Sequence, residues 1–99
     1  MRLKDASVSL KDVSWRMFHA AVICEAVYAK RGVELVITSA NDGKHGDKTL
    51  HHKGLALDLR TWTLGGRAPE VLPELKAALG DDYDVVLEKD HFHIEYDPS

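Results

Sequence analysis

The sequence predicts one α+β domain. The chain has 99 residues, of which 44% are hydrophobic, and a chain this short cannot divide its apolar side chains between two cores. Two segments repeat apolar residues at helical spacing, while four others show the alternation or the β-branched composition of strands. A single core built from helices and a sheet accounts for both kinds of segment.

The first helix is predicted over residues 12–31. Lys30 and Arg31 fall in its last turn and Gly32 follows, an order typical of a helix end. Its apolar residues recur every three or four positions: Met17, Ala20, Ala21, Cys24, Val27 and Tyr28. We expect this stripe to pack on a sheet and to bury the one cysteine as a small hydrophobic side chain.

The middle of the chain contains two predicted strands. The first is Val33–Thr38, and residues 39–47 after it have the composition of a surface loop. The second is Gly54–Thr61, where three leucines alternate with small or polar residues. Because successive side chains of a strand point to opposite faces, the leucines should face the core and Asp58 should face away from it.

The last third of the chain predicts a helix followed by a hairpin. Pro69–Leu79 has apolar residues at helical spacing, prolines in its first turn and Gly80 as a stop. Tyr83–Glu88 and His91–Tyr96 are strand-like runs joined by Lys89-Asp90, a spacing that fits a tight hairpin although the turn lacks the favoured glycine. Alternation places three polar residues on the non-core face of the final strand: His91, His93 and Glu95.

The clustering of histidines predicts a metal site. Five of the six histidines fall in two short segments, residues 45–52 and 91–93: His45, His51, His52, His91 and His93. Catalytic zinc is usually held by three ligands drawn from His and a carboxylate, and His51, Asp58 and His93 would supply that set. Asp90, three residues before His93 at the hairpin turn, is the candidate general base.

Each of these residues also has an ordinary structural interpretation. The paired histidines at 51 and 52 could be solvated, Asp58 could bond a neighbouring loop, and the histidines of the last strand could be surface polar residues. His91 could contact substrate or orient a ligand, and Glu88 could replace Asp90 as base only if the hairpin register differed. His45 and His19 are expected to be solvent-exposed and not to be ligands.

Two motifs resemble a known family. Thr49-Leu50-His51-His52-Lys53-Gly54-Leu55-Ala56-Leu57-Asp58 resembles the Ser-x-His-x-x-Gly-x-Ala-x-Asp signature of zinc D-Ala-D-Ala carboxypeptidases and L-alanyl-D-glutamate endopeptidases, with Thr in place of Ser. Asp90-His91-Phe92-His93 resembles the later element, and Ile37-Thr38-Ser39 the strand end before the first motif. The family includes phage endolysins and shares its fold with the hedgehog signalling domain, and the match spans roughly residues 35 to 96.

The resemblance implies a fold and a set of site residues. The fold would be α+β of the hedgehog/DD-peptidase type, with a small antiparallel sheet flanked by helices. Zn²⁺ would be bound by His51, Asp58 and His93, with Asp90 as general base and His91 as a further catalytic candidate. Relatives often carry an arginine after the Thr-Ser pair, whereas residues 40–48 contain none. Lys44 or Asn41 would take its place, and the sequence assigns Lys44 and Thr49 to substrate binding.

The resemblance also implies a function. We expect a zinc-dependent peptidase that hydrolyses peptidoglycan stem peptides with zinc-activated water, at either the D-Ala-D-Ala or the L-Ala-D-Glu bond. The alternative is a non-catalytic, zinc-stabilised virion or cell-wall-binding module, which the missing arginine favours. The partner of the peptidase would be its peptidoglycan peptide substrate, and we expect a monomer.

Charge and hydropathy exclude other partners. The net charge of -3 argues against binding to a phosphate backbone, which needs a basic surface. The sequence lacks a run of about 18 apolar residues, so no membrane association is expected. Its first residues lack the apolar region of a signal peptide. We therefore expect cytoplasmic synthesis, and the resemblance implies a phage-encoded enzyme that reaches the wall by another route.

Overall fold

A computed structural model describes residues 1–40 and 55–98. In these residues the predicted α+β class is confirmed, with two helices and one five-stranded sheet. The strands are β1 (Arg2–Leu3), β2 (Val36–Ser39), β3 (Ala56–Arg60), β4 (Tyr83–Leu87) and β5 (His91–Tyr96). The helices are α1 (Trp15–Ala29) and α2 (Ala68–Leu79). The predicted surface loop lies, beyond Ala40, outside the described residues.

The first helix is shorter than predicted, and local chemistry gives the reason. Asp12 has a φ of 60°, a left-handed conformation that cannot belong to an α-helix, so α1 cannot begin there. Ser14 instead caps the helix, because its side chain accepts a hydrogen bond from the backbone N–H of Arg16 at 3.1 Å. The predicted stripe is buried throughout, and burial raises the pKa of Cys24 to about 12.

The second helix has the predicted end, but its prolines lie differently. Pro73 is in the second turn of α2, so the prediction that both prolines lie in the first turn was wrong. Gly80 ends the helix with a φ of 83°. The connection before the helix is a short 3-10 segment, Trp62–Arg67, kinked at Gly65. The sequence pattern did not predict this segment, since two adjacent glycines favour an irregular loop.

The sheet is mixed, whereas the prediction was a small antiparallel sheet, so the prediction was wrong for one pair of strands. Its strand order is β1-β2-β3-β5-β4, in which β1 and β2 are parallel and every other pair is antiparallel. The parallel pair is possible because α1 connects β1 to β2 as a crossover. The predicted hairpin is confirmed, since Leu87 pairs with Phe92 and the Glu88 N–H donates to the His91 carbonyl at 2.8 Å.

Both helices pack against one face of the sheet. One buried cluster joins Met17 of α1, Val71 of α2, Leu57 of β3 and Phe92 of β5. The leucines of β3 therefore face the core as predicted, and Asp58 lies on the opposite face. No helix of the described residues is long and apolar enough to cross a membrane.

Candidate metal centre

The centre of the polar face is a pair of side chains on adjacent strands. Asp58 of β3 lies directly opposite His93 of β5 in the antiparallel register. Their side chains point to the same face, and Asp58 Oδ1 lies 2.9 Å from His93 Nδ1. Asp58 is 8% exposed, so the contact lies in a largely dehydrated environment. Strand alternation and the register between β3 and β5 together bring a carboxylate and an imidazole into contact, and these are two of the three predicted zinc ligands.

A bulge in β2 brings a third strand to this pair. Ile37 pairs with Leu59 on the core face, but two residues later Ser39 pairs with Asp58, one position short of a regular ladder. The extra residue switches the face that the strand presents, which is a common use of β-bulges beside functional sites. Thr38 Oγ1 donates a hydrogen bond to the Asp58 carbonyl at 3.4 Å, and Ser39 is buried. The bulge thus fixes the backbone around Asp58.

The imidazole of His93 lies between two carboxylates. Nδ1 faces Asp58, and Nε2 lies 2.9 Å from Glu95 Oε1 on the other side of the ring. Carboxylates only accept hydrogen bonds, so both contacts are satisfied when both ring nitrogens carry a proton. The hydrogen bond with Asp58 raises the pKa of His93, and the bond with Glu95 adds to the effect. Without metal, the ring is therefore stabilised as an imidazolium.

This arrangement fits a zinc site by the chemistry of its donors. Two ligands at about 2.0–2.1 Å from a tetrahedral zinc ion lie about 3.3 Å apart, close to the Asp58–His93 separation. With Nδ1 on the metal, the Nε2 N–H would keep its hydrogen bond to Glu95. A histidine ligand that donates its second N–H to a carboxylate is the usual pattern in zinc proteins.

Asp90 and His91 form a second acid–imidazole pair. Asp90 Oδ1 lies 2.7 Å from His91 Nδ1, and the other His91 ring nitrogen lies 3.8 Å from Asp58 Oδ1. The hydrogen bond with His91 lowers the pKa of Asp90, whose side chain is 78% exposed. The hairpin register is the expected one, so the condition under which Glu88 would replace Asp90 is not met.

The described part of the site thus forms one chain of alternating acids and imidazoles. It runs from Asp90 through His91, Asp58 and His93 to Glu95, with heavy-atom separations of 2.7, 3.8, 2.9 and 2.9 Å. Four of these five residues were predicted as site residues. The other three predicted residues, His51, Lys44 and Thr49, lie outside the described residues.

Sequence reasoning missed the roles of two residues on this face. Glu95 was placed on the correct face by alternation but had no assigned partner. Arg60 shares that face as well, because it lies opposite His91 in the register. The alternation that predicted Asp58 and His93 therefore contained the signal for both, and only the side-chain contacts show what they do.

A second group on the same face could also hold a metal ion. One ligand atom from each of Asp84, Glu95 and Asp97 lies within 4.8 Å of the others. Carboxylates alone suit hard cations such as Ca²⁺ or Mg²⁺ better than zinc. Asp84 and Asp97 are exposed, and exposed acidic groups are common without an ion. Glu95 belongs to both groups, so its contact with His93 connects them.

Comparisons with known proteins add no relatives to this description. No protein-family model matches the chain, and no curated protein matches it at a significant level. The membership of the zinc peptidase family that the two motifs suggest therefore stays a prediction.

Proposed function

We propose that this protein is a zinc-dependent peptidase that hydrolyses peptidoglycan stem peptides. The observation that carries the proposal is the contact between the buried Asp58 and the half-buried His93, which presents a carboxylate oxygen and an imidazole nitrogen 2.9 Å apart. His51 of the family-like motif is the proposed third ligand. The substrate class and a phage origin come from the resemblance of the motifs.

Each residue of the proposed site would have a separate role in hydrolysis. His51, Asp58 and His93 would hold the zinc ion, which would supply a water molecule with a pKa lowered towards about 7 and would polarise the substrate carbonyl. Asp90 would accept a proton from the attacking water and return it to the leaving amine. His91 holds Asp90 in place through their 2.7 Å contact, and its other nitrogen faces Asp58. Glu95 fixes the orientation of His93.

The lowered pKa of Asp90 bears on its role. A general base is most effective when its pKa lies near the working pH, and the hydrogen bond from His91 moves the pKa of Asp90 in the other direction. His91, which contacts Asp90 at 2.7 Å, is the second candidate acceptor. Separate variants of the two residues distinguish which side chain accepts the proton.

The test is hydrolysis of purified stem peptides by Asp90→Asn and His91→Asn, with zinc content measured on the same samples. We expect both variants to bind zinc like the unmodified protein, because neither residue is a proposed ligand. The variant that removes the acceptor should lose about 10²–10⁴-fold in rate. Asp81→Asn is the matched control, since Asp81 is exposed and lies in the turn before β4.

The same experiment tests the alternative function. A zinc-stabilised virion or wall-binding module would bind zinc and peptidoglycan and would release no peptide. Equal hydrolysis by Asp90→Asn, His91→Asn and the unmodified protein would remove this pair from the mechanism. Zinc bound stoichiometrically without any hydrolysis would favour the binding module.

A further inference from the structure

We propose that Arg60, held by Trp62, binds the α-carboxylate of the substrate residue that supplies the scissile nitrogen. The inference rests on the proposed peptidase function and adds a recognition group to the same face of the sheet. It also supplies a guanidinium, a group that the sequence of residues 40–48 lacks because it contains no arginine.

The sheet places Arg60 beside the candidate centre. Arg60 lies two residues after Asp58 on β3, so the two side chains share a face about 6–7 Å apart along the strand. It also lies directly opposite His91, and such cross-strand pairs have Cβ atoms about 4.5–5.5 Å apart. The hydroxyl of Tyr28 donates a hydrogen bond of 2.7 Å to the Arg60 carbonyl, which fixes the backbone from the core side.

Trp62 holds the guanidinium in a geometry that leaves its edge available. Arg60 Cζ lies 4.6 Å from the centroid of the Trp62 ring, a cation–π contact. Stacking occupies the face of a guanidinium, whereas a carboxylate is bound through the N–H groups at its edge. The indole is itself 66% exposed, so the stack stands at the surface.

The charge of Arg60 has no acid to neutralise it among residues 1–40 and 55–98. No carboxylate of this part of the chain lies within ion-pair distance of its guanidinium, whereas Arg2 and Arg31 each have such a partner. Its Nε is buried without a hydrogen-bond partner among the same residues. Because Nε is covered, a ligand would meet the outer edge formed by Nη1 and Nη2.

The proposed function allows two scissile bonds, D-Ala-D-Ala and L-Ala-D-Glu. The residue after each bond carries a free α-carboxylate, which is the group that the Nη1–Nη2 edge of Arg60 would bind. In a D-Ala-D-Ala peptide, the residue after the scissile bond is the terminal D-Ala, which carries a free α-carboxylate. In an L-Ala-D-Glu peptide, the D-Glu residue linked through its γ-carboxyl also carries a free α-carboxylate. In both, the anion lies one carbon away from the scissile nitrogen.

The kinetic test compares each carboxylate substrate with its carboxamide. One pair is a peptide ending in D-Ala-D-Ala and its C-terminal amide, and the other is acetyl-L-Ala-D-Glu and its α-amide. For whichever bond is cut, we expect kcat/KM to be about tenfold to hundredfold higher for the carboxylate, mostly through KM. Arg60→Gln should abolish that ratio, and Arg60→Lys should retain part of it.

A matched control is Arg16, which also stacks on a tryptophan. Its Cζ lies 4.7 Å from the Trp15 ring and 4.5 Å from the Tyr96 ring, away from the polar face. Arg16→Gln should leave the carboxylate-to-carboxamide ratio unchanged. An unchanged ratio in Arg60→Gln, with normal zinc content and normal hydrolysis, would overturn the proposal and leave the peptidase function intact.

A binding measurement separates this proposal from the proposed function. N-acetyl-D-alanine is titrated into the zinc-loaded protein while the side-chain N–H signal of Arg60 is followed by NMR. We expect a saturable shift that N-acetyl-D-alanine amide does not produce, whether or not the protein cuts peptides. A shift without hydrolysis would contradict the peptidase function and support the carboxylate site, whereas no shift would contradict the carboxylate site.

Discussion

His93 connects the two halves of the candidate centre. It contacts Asp58 through Nδ1 and Glu95 through Nε2. A proton and a metal ion would therefore compete for the same ring nitrogen, Nδ1. A metal ligand must be a neutral imidazole, and zinc therefore competes with the proton that the two carboxylates stabilise. Because the pKa of His93 is raised, the proton competes with zinc up to a higher pH than it would at an ordinary histidine.

We predict that zinc affinity falls steeply at mildly acidic pH. Below its raised pKa His93 holds a proton that zinc must displace, so affinity should drop by about tenfold per pH unit there. In the metal-free protein the sign is opposite: the stabilisation by the imidazolium is full below about pH 6.5 and is lost as pH rises through the raised pKa. Titration against a competing chelator between pH 5 and 8 measures the first effect. A flat profile would contradict it.

A second prediction concerns Glu95. Glu95→Gln keeps the size of the side chain but removes the negative charge that faces His93 Nε2. Loss of such a partner typically reduces metal affinity by about 10–100-fold, and we expect the same range here. Glu34→Gln is the control, since Glu34 pairs with Arg2 at the opposite edge of the sheet. Equal zinc affinities in both variants would show that Glu95 does not support His93.

The sequence predicted the positions of the site residues better than their contacts. Alternation along two strands sufficed to put Asp58, His91 and His93 on the non-core face, because the strand period allows only two directions. The contact of Asp58 with His93, and the position of Arg60 opposite His91, depend on the register between β3 and β5. That register arises from packing between segments more than 30 residues apart, which no local pattern contains.

Helices and strands were predicted correctly where many apolar residues recur at a regular spacing. Both helices and the final hairpin have enough apolar positions to define a face. The missed elements are short: β1 has two residues, and the 3-10 segment is interrupted at Gly65. The bulge in β2 could not be predicted for another reason. It changes the register between β2 and β3 and has no signature in the composition of either strand.

The contact between α1 and the end of β3 gives a prediction at this scale. Tyr28 is fully buried, and its hydroxyl donates to the Arg60 carbonyl at 2.7 Å. Tyr28→Phe removes the donor and leaves the carbonyl without this partner, which should lower the free energy of unfolding by about 1–2 kcal/mol. Urea unfolding of the metal-free protein measures the change. Phe18→Leu, at an exposed position of the same helix, should be nearly neutral. Equal stability of the Tyr28 variant and the unmodified protein would contradict the role of this contact.

The two faces of the sheet have different roles: one face forms the core with the helices, and the other carries the candidate site. One core between the helices and the sheet contains the large apolar side chains, including Leu57, Leu59 and Phe92. The opposite face of the same strands carries the carboxylates and imidazoles. Substitutions at the polar face should therefore change metal binding and hydrolysis more than they change the free energy of unfolding. The free energies of unfolding are compared in the metal-free proteins.

The most direct measurement of the central proposal is peptide release from peptidoglycan. Zinc-loaded protein is incubated with purified peptidoglycan, and new peptide ends are identified by mass spectrometry beside Asp58→Ala and His51→Ala controls. The account predicts new ends that are lost in both controls, and their identity names the bond that is cut. Stoichiometric zinc binding with no new ends would contradict the account and favour a non-catalytic module.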